Sequence, residues 1–285
     1  QYMKNICIIG KNGMLGQELV RVFSDTYTVH AWDKDDLDIT DKDMCEKMLK
    51  ECAPDIVINA AAFNAVDAVE ENEDTYKKAQ EINGVAPGYL AKVCKELDVL
   101  FVHFSTDYVF DGNNIRGYKE DDTPNPVNKY GQTKYLGEQN VQKNAEKYYI
   151  IRLSKLFGQP GTGEGSKKSF VDTMLWLVRE GGKDSLNLVH EETGSPTYAP
   201  DLANAVKELI EEDTPSGIYH ITNDGACTWY EFAKEVFLIS GETVNTAPVS
   251  GDAFPRPAKR PMHSTLNNTK LKLLRSWQEA LQAYL

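Results

Sequence analysis

Tyr130 and Lys134 stand four positions apart in the run Tyr130-Gly131-Gln132-Thr133-Lys134, a spacing that puts both side chains on one face of a helix. A phenol ordinarily titrates at about 10, too high for proton exchange at neutral pH. A neighbouring ammonium favours the phenolate and lowers that value, so the pair could act as a proton donor. The spacing alone arises by chance in many proteins. Upstream, however, an apolar run ends in Ser105-Thr106-Asp107, three hydroxyl or carboxyl groups in a row. That arrangement is costly unless something binds there.

The first apolar run, Ile6–Ile9, leads into Gly10-Lys11-Asn12-Gly13-Met14-Leu15-Gly16. This G-x-x-G-x-x-G run is a spacing variant of the dinucleotide fingerprint, in which glycines let the backbone approach a pyrophosphate at the start of the next helix. Asp33 ends the second apolar run at the distance expected of the acid that binds an adenosine ribose, which favours NAD over NADP. A surface acid in the cluster Asp33–Asp41 is the other reading, and neighbouring Lys34 weakens an NAD-only choice. The third run ends in Asn59-Ala60-Ala61-Ala62, small enough for a flat cofactor to lie on, or simply for core packing. With a nicotinamide bound, the Tyr130–Lys134 pair would protonate the oxygen in a hydride transfer.

The elements that must position these groups alternate. Ile6–Ile9, Tyr27–Trp32, Ile56–Ala60, Val99–Phe104 and Tyr148–Leu153 read as strands, with helices between them. Apolar patterning predicts a helix after the glycine turn, one through Met44, Met48 and Leu49 closed off by Pro54, Ala79–Glu96 interrupted at Pro87, and one near Lys129–Lys143. Continuous apolar strands and βαβ order predict a Rossmann-type α/β fold, a doubly wound parallel sheet covered on both faces. Gly158–Ser169 reads as a mobile loop. Helices are expected near Val171–Arg179, Asp201–Glu212 and Trp229–Ile239, a strand at Gly217–Thr222, and a terminal helix from about Asn268. The proline-rich stretch Thr246–Pro261 is expected to be irregular. The expected organisation is an NAD(P)-binding domain over 1–155, with 194–222 returning to it. Segments 156–193 and 223–285 form a smaller, less regular C-terminal substrate lobe.

Composition narrows the partners. The 285 residues carry 43 acidic and 31 basic side chains, a net charge of −12 that disfavours nucleic acid and anionic membranes. Any anionic ligand must be held by local cations or backbone amides. Phe254–Pro261 gathers Arg256, Lys259 and Arg260 among prolines, a stiff basic loop suited to a diphosphate or, more plainly, a solvated surface loop. Five scattered cysteines without a C-x-x-C pair predict free thiols in a reducing cytoplasm and no zinc site; the scattered histidines likewise predict no metal. No signal-peptide pattern or membrane-spanning run is present in the sequence, and Met3 rather than Gln1 is the expected natural start.

Taken together, these residues resemble an extended short-chain dehydrogenase/reductase, and more closely the dTDP-4-dehydrorhamnose reductase family. The resemblance rests on Gly10–Gly16, Asn59–Asp67 (NAAAFNAVD), Ser105–Gly112 (STDYVFDG), Tyr130–Lys134, Gly194-Ser195-Pro196-Thr197, and Arg260-Pro261 with Ser264. It spans nearly the whole chain. The resemblance implies a cytoplasmic, NAD(P)H-dependent reductase of the 4-keto group of a dTDP-linked 6-deoxysugar, dTDP-4-dehydrorhamnose foremost, serving surface polysaccharides. It implies Tyr130 as proton donor, Lys134 on the nicotinamide ribose, Thr106 on the reacting oxygen and Asp107 on the sugar. Asp38, Ile39, Ala62, Phe63, Asn64 and Phe104 fall where relatives contact the cofactor, and Asp33, read from its own position, slightly favours NADH.

Some positions depart from the pattern. Lys155 stands in Arg152-Leu153-Ser154-Lys155 where relatives carry a tryptophan that packs on substrate, so Lys155 is expected to contact substrate itself, unless Phe157 or Trp176 supplies the apolar face. Phe63-Asn64 replaces an expected His-Thr. Some relatives dimerise through magnesium held by glutamates; Glu18 matches one but Pro200 replaces another, so no metal is expected, and the chain is read as a monomer or homodimer. Tyr108 after Asp107 counts against a dehydratase. The alternatives are a non-catalytic cofactor-binding regulatory subunit and a reductase or epimerase of another nucleotide sugar.

Overall fold

The computed structural model describes residues 3–163 and 165–285, so the expectation for Gln1 and Tyr2, and Glu164 of the expected loop, lie outside the described residues. The first half runs β1 (Asn5–Ile9), α1 (Met14–Phe23), β2 (Thr28–Trp32), α2 (Lys42–Cys52), β3 (Ile56–Asn59), α3 (Val66–Glu71), α4 (Glu73–Ala79), α5 (Ala86–Leu97), β4 (Leu100–Thr106), α6 (Lys129–Asn144) and β5 (Tyr148–Leu153). Then follow β6 (Leu156–Phe157), α7 (Phe170–Arg179), β7 (Ser185–Val189), β8 (Thr193–Gly194), β9 (Thr197–Tyr198), α8 (Ala199–Glu211), β10 (Gly217–His220), β11 (Cys227–Thr228), α9 (Trp229–Ser240), β12 (Asn245–Val249) and α10 (Trp277–Tyr284).

Six strands form one parallel sheet in the order β10-β5-β4-β3-β1-β2. Side chains alternate across it, as the period of two requires. Ile6 and Ile8 of β1 face the core under α1 and α8, while Cys7 and Ile9 face the core under α2 and α5. This is the doubly wound architecture that the apolar runs imply, and it puts the strand ends Ile9, Trp32, Asn59 and Thr106 along one edge. A third core, around Phe157, Val171, Phe232 and Trp277, joins α7, α9 and α10.

Some expectations fail for identifiable reasons. Pro87 does not break its helix: it sits in the first turn of α5, where its missing N–H is not needed, and the irregularity is the π-helical stretch Gln80–Val85 just before. The stretch expected to be irregular contains β12, which pairs in parallel with β7, itself not anticipated. Pro248 in β12 concealed it; a strand in a two-stranded pair tolerates proline on its free edge. No helix starts at Asn268, whose side chain instead accepts the amides of Lys270 (3.1 Å) and Leu271 (2.9 Å) in an Asx turn. Helix α10 begins only where Ser276 and Glu279 form a reciprocal capping box.

All five cysteines are free, but Cys7 and Cys52, distant in sequence, bring their sulfurs to 2.9 Å. Among the described residues no group of three His, Cys, Asp or Glu could hold a metal ion, and no helix is long and apolar enough to cross a membrane.

Candidate active site

The edge formed by the carboxyl ends of the strands gathers the glycine turn, the alanines and the polar end of β4. Gly10 has φ +87°, and a Cβ there would lie 2.8 Å from the Ala61 amide nitrogen. A Cβ on Gly16 would lie 1.8 Å from the Gly10 carbonyl oxygen, so only glycine lets α1 start this close to β1. Gly13 caps α1 with no side chain, which leaves the amides of its first turn, at Met14 and Leu15, uncapped by any side chain at that edge. Such a helix start suits an anionic pyrophosphate, and the glycine cradle fits the dinucleotide expected there.

Asp33 is oriented by two backbone donors: the Asn12 amide reaches Oδ2 at 3.0 Å and the Lys34 amide reaches Oδ1 at 2.8 Å. Lys11 is turned away to Asp36 at 2.7 Å. Asp38 is exposed and binds the Thr40 hydroxyl, whereas the Ile39 side chain is buried with Leu37 in the core, so Ile39 presents only backbone to a ligand. Ala60, Ala61 and Ala62 continue from β3; the Ala60 amide donates to Ile9 at 2.9 Å.

Helix α6 carries the two candidate catalytic side chains. Its N-cap is Asn128, whose Oδ1 accepts the Gly131 amide (2.7 Å) and whose Nδ2 donates to the Lys259 carbonyl (2.7 Å). The first turns of α6 therefore face the end of β4. Tyr130, 8% exposed, packs edge-on against Tyr108, and its hydroxyl donates to Asn64 Oδ1 at 3.2 Å. Lys134 is buried and donates to the Phe104 carbonyl at 2.7 Å, while the Phe104 ring lies in the core. Burial pulls Lys134 down to about 8, against the opposing pull of Glu138.

The expectation that the ammonium lowers the phenol is corrected here. Burial first, then the charges of Asp107 and Tyr108, push Tyr130 above its ordinary value; the Thr106 hydroxyl pulls it back. Tyr130 is thus held protonated, as a proton donor must be.

Thr106 and Asp107 are both buried. The Thr106 hydroxyl donates to Asp107 Oδ1 (3.1 Å) and accepts the Tyr108 amide (3.2 Å). Ser264, from the far end of the chain, donates to Asp107 Oδ2 at 2.5 Å. Burial raises Asp107, and the surrounding hydroxyls of Ser264, Ser154 and Thr106 oppose that.

The residues expected on the substrate side are arranged differently. Lys155 follows β5 with φ +44°, and its ammonium donates to the carbonyls of Cys227 (2.8 Å) and Glu192 (3.1 Å) while lying 4.2 Å over the Trp229 ring. Burial brings it down to about 8. It neither points to solvent nor stands free, and Phe157 lies wholly in the third core. Lys155→Ala is therefore expected to cost about 1–3 kcal/mol of stability through two orphaned carbonyls, and a change in KM would come through Asp107, on which the Lys155 charge acts. Thermal denaturation and steady-state kinetics check this. Arg256 pairs with Glu192, and Arg260 forks onto Asp67 at 2.8 and 2.9 Å, so the basic loop is not a cluster of free cations. A diphosphate would reach either guanidinium only by displacing a carboxylate.

Sequence reasoning missed Asn83. It is buried at the π-helical stretch, accepts the Phe63 amide at 2.8 Å, and donates to the Phe63 carbonyl (2.9 Å) and the Thr133 hydroxyl (3.1 Å). A polar amide at a helical position is the only hint the sequence offers.

Comparisons with known proteins agree in direction. The family description "RmlD substrate binding domain" matches residues 3–285. The chain is similar to the spore coat polysaccharide biosynthesis protein SpsK of Bacillus subtilis (strain 168), with 37% identity over 99% of this chain and 97% of that one. It is 35% identical to the dTDP-4-dehydrorhamnose reductase of Burkholderia thailandensis, covering 94% and 91% of the two chains. Among solved structures, the dTDP-4-dehydrorhamnose reductase of Bacillus anthracis str. Ames in complex with NADP superposes with a TM-score of 0.92, at 34% identity and 99% coverage of both chains.

Proposed function

The chain belongs to the RmlD substrate binding domain family, and from that membership we propose that it is an NAD(P)H-dependent oxidoreductase reducing the 4-keto group of a dTDP-linked 6-deoxysugar, dTDP-4-dehydrorhamnose to dTDP-rhamnose. The observation that carries this reading is Tyr130 and Lys134 one helical turn apart on α6, beside buried Thr106 at the end of β4. They lie at the same sheet edge as the glycine turn after β1. We assign 1–155, with 194–222, to the cofactor-binding part and the remainder to the substrate lobe, in a cytoplasmic monomer or homodimer. The return of β10 to the sheet beside β5 supports that division.

A bound dihydronicotinamide supplies the hydride. The chain's own groups do the rest. Tyr130 gives its proton to the carbonyl oxygen as charge develops there, Thr106 donates a hydrogen bond to that oxygen, and Lys134 holds the cofactor ribose. Asp107, fixed by Ser264, meets a hydroxyl of the sugar. Gly10, Asn12, Gly13, Met14, Leu15 and Gly16 frame the pyrophosphate, and Asp33, Asp38, Ile39, Ala60–Asn64 and Phe104 line the rest of the cofactor's path. Arg256 and Arg260 meet the diphosphate only if Glu192 and Asp67 let go.

The test is loss of dihydronicotinamide absorbance when a dTDP-4-keto-6-deoxysugar is added. Oxidation supports the reading. Cofactor binding without oxidation points to a regulatory subunit instead, and oxidation only with another nucleotide sugar points to a different reductase.

On cofactor choice, the proposal is that NADH binds at least as tightly as NADPH. Both Asp33 oxygens are already aimed by backbone amides, so the site offers acceptors to ribose hydroxyls and repels a 2′-phosphate. Fluorescence titration with both cofactors checks it, and Asp33→Ala should shift the balance toward NADPH by about tenfold, about 1.4 kcal/mol. A clear NADPH preference that Asp33→Ala leaves alone would reduce Asp33 to a surface acid.

A further inference from the structure

Asn64 follows the alanines at the end of β3, is exposed, and reaches across to α6. Its Oδ1 accepts the hydrogen of the Tyr130 hydroxyl at 3.2 Å. The loop that carries Asn64 is fixed to the same helix by a second route. Asn83 clamps both the amide and the carbonyl of Phe63 and donates to Thr133 Oγ1 at 3.1 Å. Thr133 in turn donates to the Tyr130 carbonyl at 2.8 Å. A closed ring of hydrogen bonds thus runs from the phenol through Asn64, Phe63, Asn83 and Thr133 back to the backbone of the tyrosine. Asn64 is held in register with the one oxygen it touches.

We propose that Asn64 is a positioning residue for proton donation: its carboxamide oxygen holds the Tyr130 hydroxyl in place, protonated, until the substrate oxygen replaces it as acceptor. This rests on the reductase reading above. In the step itself the Tyr130 O–H bond breaks, the proton forms the new O–H bond of the product, and the carbonyl carbon receives the hydride. An acceptor on the phenol favours its protonated form. The other groups facing Tyr130 are Asp107 and Tyr108 after β4, Lys134 on α6, Glu70 of α3 at the neighbouring Lys129 amide, Tyr76 of α4, and the Arg260–Asp67 pair beside Tyr108.

Asn64→Ala removes the acceptor and should lower kcat by about 2–10-fold while KM for the sugar stays within about twofold. Asn64→Asp keeps an acceptor oxygen on a side chain of the same shape and should bring kcat back to within about twofold of the unmodified protein. Because Asn64 is exposed, both variants should fold, which melting temperatures check. A loss in kcat alone that the aspartate restores supports the inference, since a merely structural role would not produce that split. Unchanged kcat in Asn64→Ala, a loss confined to KM, or no recovery in Asn64→Asp overturns it while Tyr130→Phe remains inactive and the reductase reading stands. Absence of turnover in the unmodified protein with either cofactor overturns both.

Discussion

Tyr130→Phe is expected to lower kcat by ~10²–10⁴, the usual cost of losing a general acid, while leaving cofactor affinity little changed. The substitution deletes one oxygen and spares the rest of the site. The ring stays packed edge-on against Tyr108 at 5.9 Å between centroids, and the bond from Lys134 to the Phe104 carbonyl is untouched. Only the hydroxyl, with its links to Asn64 and Thr106, is lost. Steady-state turnover and a fluorescence titration of NADH separate the two effects. Near-wild-type kcat would remove Tyr130 from the chemistry.

Arg152→Met should be the most damaging single change to stability, at about 3–5 kcal/mol, because it leaves a buried carboxylate without its partner. Arg152 and Glu138 are 1% and 0% exposed and meet through two parallel bonds of 2.8 and 2.7 Å. The guanidinium also donates to the Glu120 carbonyl at 3.2 Å, approaches His220 Nε2 at 3.4 Å and lies 5.0 Å over the Phe110 ring. His220 is pulled down to about 4, by burial first and the Arg152 charge second, so at neutral pH it stays uncharged beside the guanidinium. The cluster ties β5, α6, β10 and the Asn267–Thr269 segment together. Denaturant unfolding measures the loss. The double variant Arg152→Met/Glu138→Leu should regain most of it, since removing both charges leaves none unpaired. Equal losses in the single and double variants would show that packing, not charge, is at stake.

The sheet and its ligand edge were legible because they depend on local signals: apolar runs of strand length, a glycine turn, and polar residues where a strand ends. The spacing of Tyr130 and Lys134 was equally readable, since a helix converts sequence distance directly into direction. What the sequence did not disclose was which charges cancel. Arg260 and Asp67 are 193 residues apart, and Lys155 finds its carbonyls 37 and 72 residues away, so nothing local marks these cations as occupied. Burial was hidden for the same reason: it is the largest effect on Tyr130, and it raises the phenol where the neighbouring ammonium suggested the opposite. The pair of β7 and β12 escaped notice because each strand is short and partly exposed, with no continuous apolar run to mark it.

The way the chain returns to its sheet bears on how it can be made. By residue 153 five of the six strands have been synthesised, yet the face carrying Ile6, Ile8 and Ile58 gains α8 only after residue 199, and β5 gains its neighbour β10 only after residue 217. Until then a nascent chain presents both an apolar face covered only by α1 and an unpaired strand edge, two features that invite association with other chains. Its last third is thus the covering that makes the first half soluble. A fragment ending at the domain boundary read from sequence lacks that covering, and synthesis must keep the partly made sheet apart from its neighbours until the rest arrives.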